Sequence, residues 1–161
     1  MERIPHMERI PHTAKNRYYP FSVCPAFWDC LVRANEEGRV ASIETVLQEL
    51  LKGEDELASW ARQRSQSFFL APDDAVQSAF QEIAAWIRSN FEDAHTKDFL
   101  SGADGWLIAH AKAHHWTVVT LEVSRKGKKI KIPDVCRSFQ VPCINLFEML
   151  KALGAKFVLS L

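Results

Sequence analysis

Segments with helical periodicity alternate along this chain with short apolar runs, and this alternation constrains the fold more than any other feature of the sequence. The helical period is clearest over 73–87, where apolar residues recur every three or four positions. Short apolar runs predict strands at 68–70, 117–121, 141–145 and 156–161. Further helices are predicted over 25–34, 42–52, 57–64, 104–111 and 146–153, with a short helix or turn over 96–100 and a helical turn over 134–139. Such an order is typical of an α/β domain with a mostly parallel central sheet.

Residues at the ends of the helical segments support these bounds. Ser42 is an expected N-cap, and Gly53 and Gly154 are expected C-terminal stops. Ser101 and Asp104 have the spacing of a capping box, which predicts a further helix start at this point.

The composition excludes several classes of protein. A length of 161 residues suits one domain, and 47% hydrophobic with 25% charged residues argues against a disordered tail or a coiled coil. The 20 basic and 20 acidic residues cancel, so nucleic-acid binding would need a local patch. Because the chain has no long apolar run, no evident signal peptide and no CxxC pair among its four cysteines, we expect a cytoplasmic protein without a membrane partner.

The N-terminus is a perfect tandem copy of a six-residue unit, MERIPH. Pro5 and Pro11 each interrupt a helix or a central strand, and the repeat has no alternating β-branched pattern. We therefore expect residues 1–13 to be a disordered or artificial leader, or the replacement of a native first element, and residues 14–161 to be the domain.

Three widely separated acids lie near predicted element ends. They are Glu49, Asp104 and Glu122. Mg²⁺ and Mn²⁺ prefer carboxylate oxygens and water, and such a metal activates water for attack on a phosphodiester. Each acid also has a structural interpretation: Glu49 as a solvated helix flank, Asp104 as part of the capping box, and Glu122 as the start of a polar loop.

A basic segment follows Glu122 directly. Its members are Arg125, Lys126, Lys128, Lys129 and Lys131. These side chains would hold a nucleic-acid backbone beside a metal centre. Alternatively, they form a solvated loop or an edge strand protected by lysines.

Three histidines lie on the helix predicted after Asp104. His110 and His114 have i,i+4 spacing, but no HExxH motif accompanies them. We therefore expect His110, His114 and His115 to be surface or helix C-terminal residues rather than metal ligands.

Several of these segments together resemble a known family. SIETVLQELLKG at 42–53, SGADGWLIAHAKAH at 101–114 and WTVVTLE at 116–122 are similar to successive acidic motifs of the PIN domain. AKNRYYPFSVCPAFWDCL at 14–31 and KIPDVCRSFQVPCINLFEML at 131–150 resemble a bacterial subgroup of PIN-like proteins. The resemblance covers about residues 14–161.

The resemblance implies a Rossmann-like α/β/α sandwich and a ribonuclease that depends on Mg²⁺ or Mn²⁺. It places metal ligands and catalytic residues at Glu49, Asp104 and Glu122, with Asp134 as a secondary ligand and Thr120 as a supporting strand-end hydroxyl. It also implies an RNA substrate and the role of a toxin paired with an antitoxin protein, with a homodimer left open.

The chain departs from the PIN pattern at its start. A PIN domain opens with a hydrophobic strand that carries an essential Asp, whereas no Asp precedes Asp29 here, and Glu2 and Glu8 are the only earlier acids. We therefore expect the first strand to be atypical or missing and the activity to be impaired by loss of its Asp. The alternative is a catalytically inactive PIN-like module that binds RNA or protein. A nucleotide-binding Rossmann-like enzyme is disfavoured because no GxGxxG is present.

Overall fold

A computed structural model describes residues 6–8, 18–124, 127 and 129–159, and the side chains from residue 18 onward. Five short strands occur in these residues, β1 (His6–Glu8), β2 (Val40–Ile43), β3 (Phe69–Leu70), β4 (Thr117–Val119) and β5 (Cys143–Ile144). The helices of these residues are α1 (Pro25–Glu36), α2 (Glu44–Leu50), α3 (Glu56–Gln63), α4 (Asp74–Asn90), α5 (Asp93–Ser101), α6 (Asp104–His114), α7 (Ile132–Ser138) and α8 (Leu146–Ala152). The predicted α/β class is confirmed.

The five strands form one parallel sheet in the order β3-β2-β1-β4-β5. Met7 of β1 pairs with Ala41 on one side and with Val118 on the other. All four residues of β2 and all three of β4 are buried. Because successive side chains of a strand point to opposite faces, both faces of these two strands are covered.

Of the two expectations for the first strand, atypical or missing, the structure shows the first. β1 lies at the centre of the sheet, inside the segment predicted to be a leader, and spans the junction between the two MERIPH copies. Pro5 and Pro11 lie outside its three residues, so neither removes a backbone donor from the strand. A domain boundary at residue 13 would cut β1 from the sheet.

Helix α6 is the central helix of the domain. It packs against β1, β2 and β4 and makes its most extensive contact with α4. Phe80 of α4 stacks on Trp106 of α6 with ring centroids 3.8 Å apart. A Cβ atom at position 105 would lie 3.0 Å from the Phe80 ring, so Gly105 permits this close approach.

The helix predictions hold for most of the chain. Pro25 occupies the first turn of α1, and Asp73 caps α4 by accepting a hydrogen bond from the Val76 N–H at 2.9 Å. Gly154 follows α8 with φ +71°. Ser42 is not an N-cap, however, because it lies within β2 and α2 begins at Glu44.

The predicted final strand is also absent from the residues that the structure describes. Residues 155–159 run past α8 outside the sheet, with Val158 and Leu159 exposed, and residues 160 and 161 lie outside the described part. No helix in the described part of the chain is long and apolar enough to cross a membrane.

Candidate functional site

The carboxyl ends of the parallel strands define one edge of the sheet, and the topology brings the predicted acids to it. Helix α2, which carries Glu49, follows β2 directly, and Glu122 follows β4. Helix α6 ends two residues before β4 begins, so its first residue, Asp104, lies at the edge where the strands end. This is the edge at which open α/β sheets bind ligands.

Asp104 and Glu122 line one small pocket. Its volume is about 240 Å³, and its charged lining residues also include Asp98, Lys129 and Lys131. Asp104 is half-buried, with its Oδ1 atom shielded from solvent. Three carboxylates and two ammonium groups therefore meet in a single recess, a combination suited to an anion and a cation bound together.

Glu49 contacts the start of the same helix. Its Oε1 atom accepts a hydrogen bond from the backbone N–H of Ala103 at 3.0 Å. Ala103 is the N-cap of α6, and no side chain of its own caps that end. The predicted capping box is wrong, because Ser101 belongs to α5 and Glu49, from a different helix, satisfies this N–H.

The Glu122 carboxylate is held by the segment that follows the basic run. Oε2 accepts a hydrogen bond from the Ile132 N–H at 2.9 Å, and Oε1 lies 3.4 Å from Lys131 Nζ. The side chain of Glu122 is 33% exposed, so it is anchored but still open to a ligand. Glu122 is therefore not simply the start of a solvated loop.

Thr120 holds the backbone of Glu122 in place. It is buried directly after β4, and its Oγ1 accepts a hydrogen bond from the Glu122 N–H at 3.1 Å. Its own N–H donates to the Ile144 carbonyl at 3.0 Å. The hydroxyl thus fixes the backbone turn that presents Glu122.

Asp134 is separated from the other predicted ligands. Its Oδ1 accepts a hydrogen bond from the Ser124 hydroxyl and lies 3.4 Å from Arg137 Nη1. Asp134 does not line the pocket that Asp104 and Glu122 share. The structure therefore gives Asp134 a loop-bracing contact.

The basic segment is described in part. Lys129 is exposed and Lys131 is half-buried, and both line the pocket of Asp104 and Glu122. Arg125, Lys126 and Lys128 lie outside the described residues. Two of the five predicted nucleic-acid contacts are thus next to the acids.

Across residues 6–8, 18–124, 127 and 129–159, no three His, Cys, Asp or Glu side chains are grouped as a metal site. The four predicted ligands therefore do not form a preassembled cluster in these residues. Two of the four, Asp104 and Glu122, line one pocket together with Asp98, and Glu49 accepts a hydrogen bond from the residue before Asp104.

The periodicity and motifs of the sequence missed two acids of this edge. Asp98 lines the pocket of Asp104 and Glu122. Glu8 ends β1 and pairs in register with Val119 of β4. Its strand is only three residues long and lacks β-branched residues, so nothing in the sequence signalled it. The central strand thus ends in an acidic residue after all.

A second pocket adjoins the first at Glu122. Its volume is about 430 Å³, and it extends along the carboxyl ends of β4 and β5 to Cys143, Asn145 and Glu148. Two partly exposed aromatic residues, Tyr18 and Phe147, line it with ring centroids 5.6 Å apart in an edge-to-face arrangement.

The histidines divide into two groups. His114 and His115 are exposed at the C-terminal end of α6, as predicted, and His114 Nε2 lies 2.8 Å from Asp73 Oδ2. His110 is buried, which corrects the surface prediction. Burial, together with the neighbouring His114, lowers the pKa of His110 to about 4, although Asp73 opposes this shift.

The cysteines are partly or fully shielded from solvent. Cys136 is buried, and Cys24, Cys30 and Cys143 are half-buried. A hydrogen bond from Cys136 lowers the pKa of the Cys143 thiol, and the same bond together with burial raises the pKa of Cys136.

Comparison with known proteins places the chain in a family. The model of a family described as a domain of unknown function (DUF4411) matches residues 12–157. The chain belongs to the DUF4411 family. The DUF4411 match includes Glu49, Asp104 and Glu122, whereas β1 precedes it. No curated protein and no solved structure matches the chain.

Proposed function

We propose that this DUF4411 protein is a PIN-like endoribonuclease that depends on Mg²⁺ or Mn²⁺. The observation that supports the proposal best is the single pocket in which Asp104 and Glu122 meet Lys129 and Lys131. Acidic oxygens for a divalent cation and basic groups for a phosphate are thereby side by side. The parallel sheet with both faces covered agrees with the α/β/α sandwich that the PIN resemblance implies.

The donor set fits a hard divalent cation without a preassembled cluster. Mg²⁺ is commonly held by one or two carboxylates, several waters and the phosphates of the substrate. Asp104 and Glu122 would be those carboxylates, and Glu49 would support the start of α6 beside them. When bound, the metal would polarise the phosphate and lower the pKa of a bound water.

The residues of the chain have separate tasks in this proposal. Lys129 and Lys131 attract and orient the RNA phosphate at the mouth of the pocket. Thr120 and the Ile132 N–H hold the two ends of Glu122, its backbone and its carboxylate. A carboxylate fixed in this way loses little conformational freedom when it engages a ligand.

Glu8 supplies the acid that the resemblance predicts at the end of the first strand. The parallel register with Val119 puts its backbone at the same sheet edge as Glu122. In this proposal the chain is therefore not impaired by a missing strand, and a Glu stands where most PIN domains have Asp. Asp134 is left as a residue that braces the loop after β4 rather than as a ligand.

The biological setting is also part of the proposal. We infer a cytoplasmic toxin whose substrate is RNA and whose activity is held in check by an antitoxin protein. A homodimer is compatible with this role. These partners follow from the PIN resemblance.

A second candidate function is a non-catalytic PIN-like module that binds RNA or protein. It is favoured by the fact that the described residues contain no group of three metal-ligating side chains. It predicts RNA binding that does not respond to Mn²⁺.

The two functions are separated by a cleavage assay on single-stranded RNA with Mg²⁺, Mn²⁺ or EDTA. The endoribonuclease predicts cleavage in either metal, none in EDTA, and none with Asp104→Asn. Glu82→Gln is the matched control, because Glu82 pairs with Lys112 at an exposed site on the α4 and α6 helices. RNA binding without cleavage in any metal would support the module instead.

A further inference from the structure

The pocket lined by Tyr18 and Phe147 differs in chemistry from the acidic pocket beside it. It holds about 430 Å³, within the range of roughly 300–1,000 Å³ usual for small-molecule sites, and it shares Glu122 with the acidic pocket. The two recesses are therefore neighbouring parts of one cleft along the carboxyl edge of the sheet.

Two aromatic side chains stand at this pocket with much of their surface in solvent. Tyr18 is 43% exposed and Phe147 is 49% exposed, and their rings meet edge to face at 5.6 Å. Large aromatic residues are usually buried, so two exposed ones that line a single cleft indicate a ligand. Their faces offer a stacking surface for a flat, uncharged ring.

The charges of the pocket exclude a phosphate but accept a base. Glu122 and Glu148 both line it, so an anion would be repelled there. Lys129 and Lys131 lie on the acidic side of Glu122, where a phosphate would be attracted. A nucleotide placed across Glu122 would thus have its phosphate on one side and its base on the other.

Asn145 adds a polar group suited to the edge of a base. Its Oδ1 accepts a hydrogen bond from the Glu148 N–H at 2.9 Å. Within the part of the chain that the structure describes, the side-chain NH₂ group of Asn145 makes no hydrogen bond. That group is a donor for a ring nitrogen or carbonyl of a base.

We propose that this second pocket is a nucleobase subsite, in which Tyr18 and Phe147 stack on an unpaired base of single-stranded RNA while the adjoining phosphate lies toward Lys131. The inference deepens the proposed ribonuclease function and rests on it for the identity of the ligand. It limits the substrate to RNA whose bases are unstacked, because a base inside a duplex has no free face.

The test measures binding without catalysis. A short fluorescent single-stranded RNA and the same strand with abasic sites are titrated into the full chain in EDTA, and anisotropy is recorded. We expect the base-containing strand to bind more tightly. Phe147→Ala and Tyr18→Ala should each weaken binding of that strand roughly five- to 150-fold and leave the abasic strand unchanged, since a base stacked on an aromatic ring contributes about 1–3 kcal/mol.

Two further variants control for folding and for general loss of apolar surface. Phe147→Tyr keeps an aromatic face and should bind like the wild type. Val23→Ala removes an apolar side chain that is 72% exposed and does not line the pocket, and it should have no effect. Circular dichroism establishes that each variant is folded.

Several results would overturn the subsite. One is equal binding of the two strands by the wild type, and another is equal weakening of both strands by Phe147→Ala. A third is sedimentation that shows the aromatic pair to be a contact between two copies of the chain. The cleavage assay on the wild-type chain keeps the two proposals apart. If the chain cleaves no RNA but its binding still depends on bases and on Phe147, the ribonuclease proposal fails and the subsite stands.

Discussion

The Glu122 carboxylate accepts a hydrogen bond from the Ile132 N–H at 2.9 Å, and this contact joins the end of β4 to the start of α7 across the basic segment. The residues between them include Lys129 and Lys131, which line the same pocket as Glu122. A single carboxylate therefore closes the loop that carries the basic side chains and faces the pocket itself. A substitution at Glu122 can separate its role in closing this loop from its role as an acid in the pocket.

Glu122→Gln should separate these roles. The amide oxygen still accepts from the Ile132 N–H, so the free energy of unfolding should fall by less than about 1 kcal/mol. Removing a residue that only supports a metal ligand lowers metal affinity or activity roughly 10–100-fold. Removing the charge of the ligand itself should therefore reduce Mn²⁺-dependent cleavage by at least about a hundredfold. Urea denaturation and a cleavage time course measure the two quantities. Unchanged cleavage would remove Glu122 from the site.

Glu49 should behave as a helix-stabilising residue first. Glu49→Ala leaves the Ala103 N–H without its acceptor and should lower the free energy of unfolding by about 1–2 kcal/mol. Glu49→Gln retains an oxygen at that place and should cost less than half as much. Chemical denaturation of both variants decides this. If Glu49→Gln is as unstable as Glu49→Ala, the charge rather than the hydrogen bond stabilises α6.

The sequence predicted those elements whose stability is local. Helix α4 was evident because its buried residues, Val76, Ile83 and Ile87 among them, recur at helical spacing and Asp73 caps it. The strand residues Thr117–Val119 were evident because β-branched residues suit a sheet that is covered on both faces.

The errors arose where tertiary contacts decide the structure. Strand β1 is formed by pairing with β2 and β4 on both sides, which lets the residues His6–Glu8 form a central strand without the usual composition. The capping box failed because the Ala103 N–H is satisfied by Glu49, which is 54 positions away in the chain. Likewise, the meeting of Asp104 and Glu122 in one pocket depends on strand order, which periodicity does not encode.

His110 should make stability depend on pH. Its pKa is about 4 in the folded chain and about 6.5 when unfolded, so the unfolded state binds the proton more readily. The stability associated with neutral His110 is complete above pH 6.5 and falls as the pH drops toward 4, by roughly 3 kcal/mol in total. Asp73, whose pKa is lowered mainly by the Val76 N–H, loses its contribution only at lower pH.

The His110 effect is measured by urea unfolding at several pH values between about 7 and 4.5. His110→Gln should flatten the dependence in this window, because glutamine does not titrate. His115→Asn is the control, since His115 has φ 58°, which asparagine tolerates, and is exposed. An unchanged slope in His110→Gln would show that another group carries the dependence.

The two neighbouring thiols should differ in reactivity. The hydrogen bond from Cys136 lowers the pKa of Cys143, which is also the more exposed of the pair. Iodoacetamide should therefore modify Cys143 at a lower pH and well before Cys136, as followed by mass spectrometry. Cys136→Ala should move the Cys143 profile to higher pH, whereas Cys136→Ser, which retains a donor, should move it less. Identical profiles for the two variants would rule out the hydrogen bond as the cause.

Met7→Pro tests whether β1 holds the centre of the sheet. Met7 pairs with Ala41 and Val118, and proline has no N–H to donate to either neighbouring strand. A lost ladder hydrogen bond and the strain of the ring should lower the free energy of unfolding by at least about 1–3 kcal/mol. Met7→Val is the matched control, because valine suits a strand and keeps the donor, and it should stay within about 1 kcal/mol of the wild type. If Met7→Pro unfolds at the same urea concentration as the wild type, the strand does not contribute to the fold, and the placement of Glu8 at the edge shared with Glu122 falls with it.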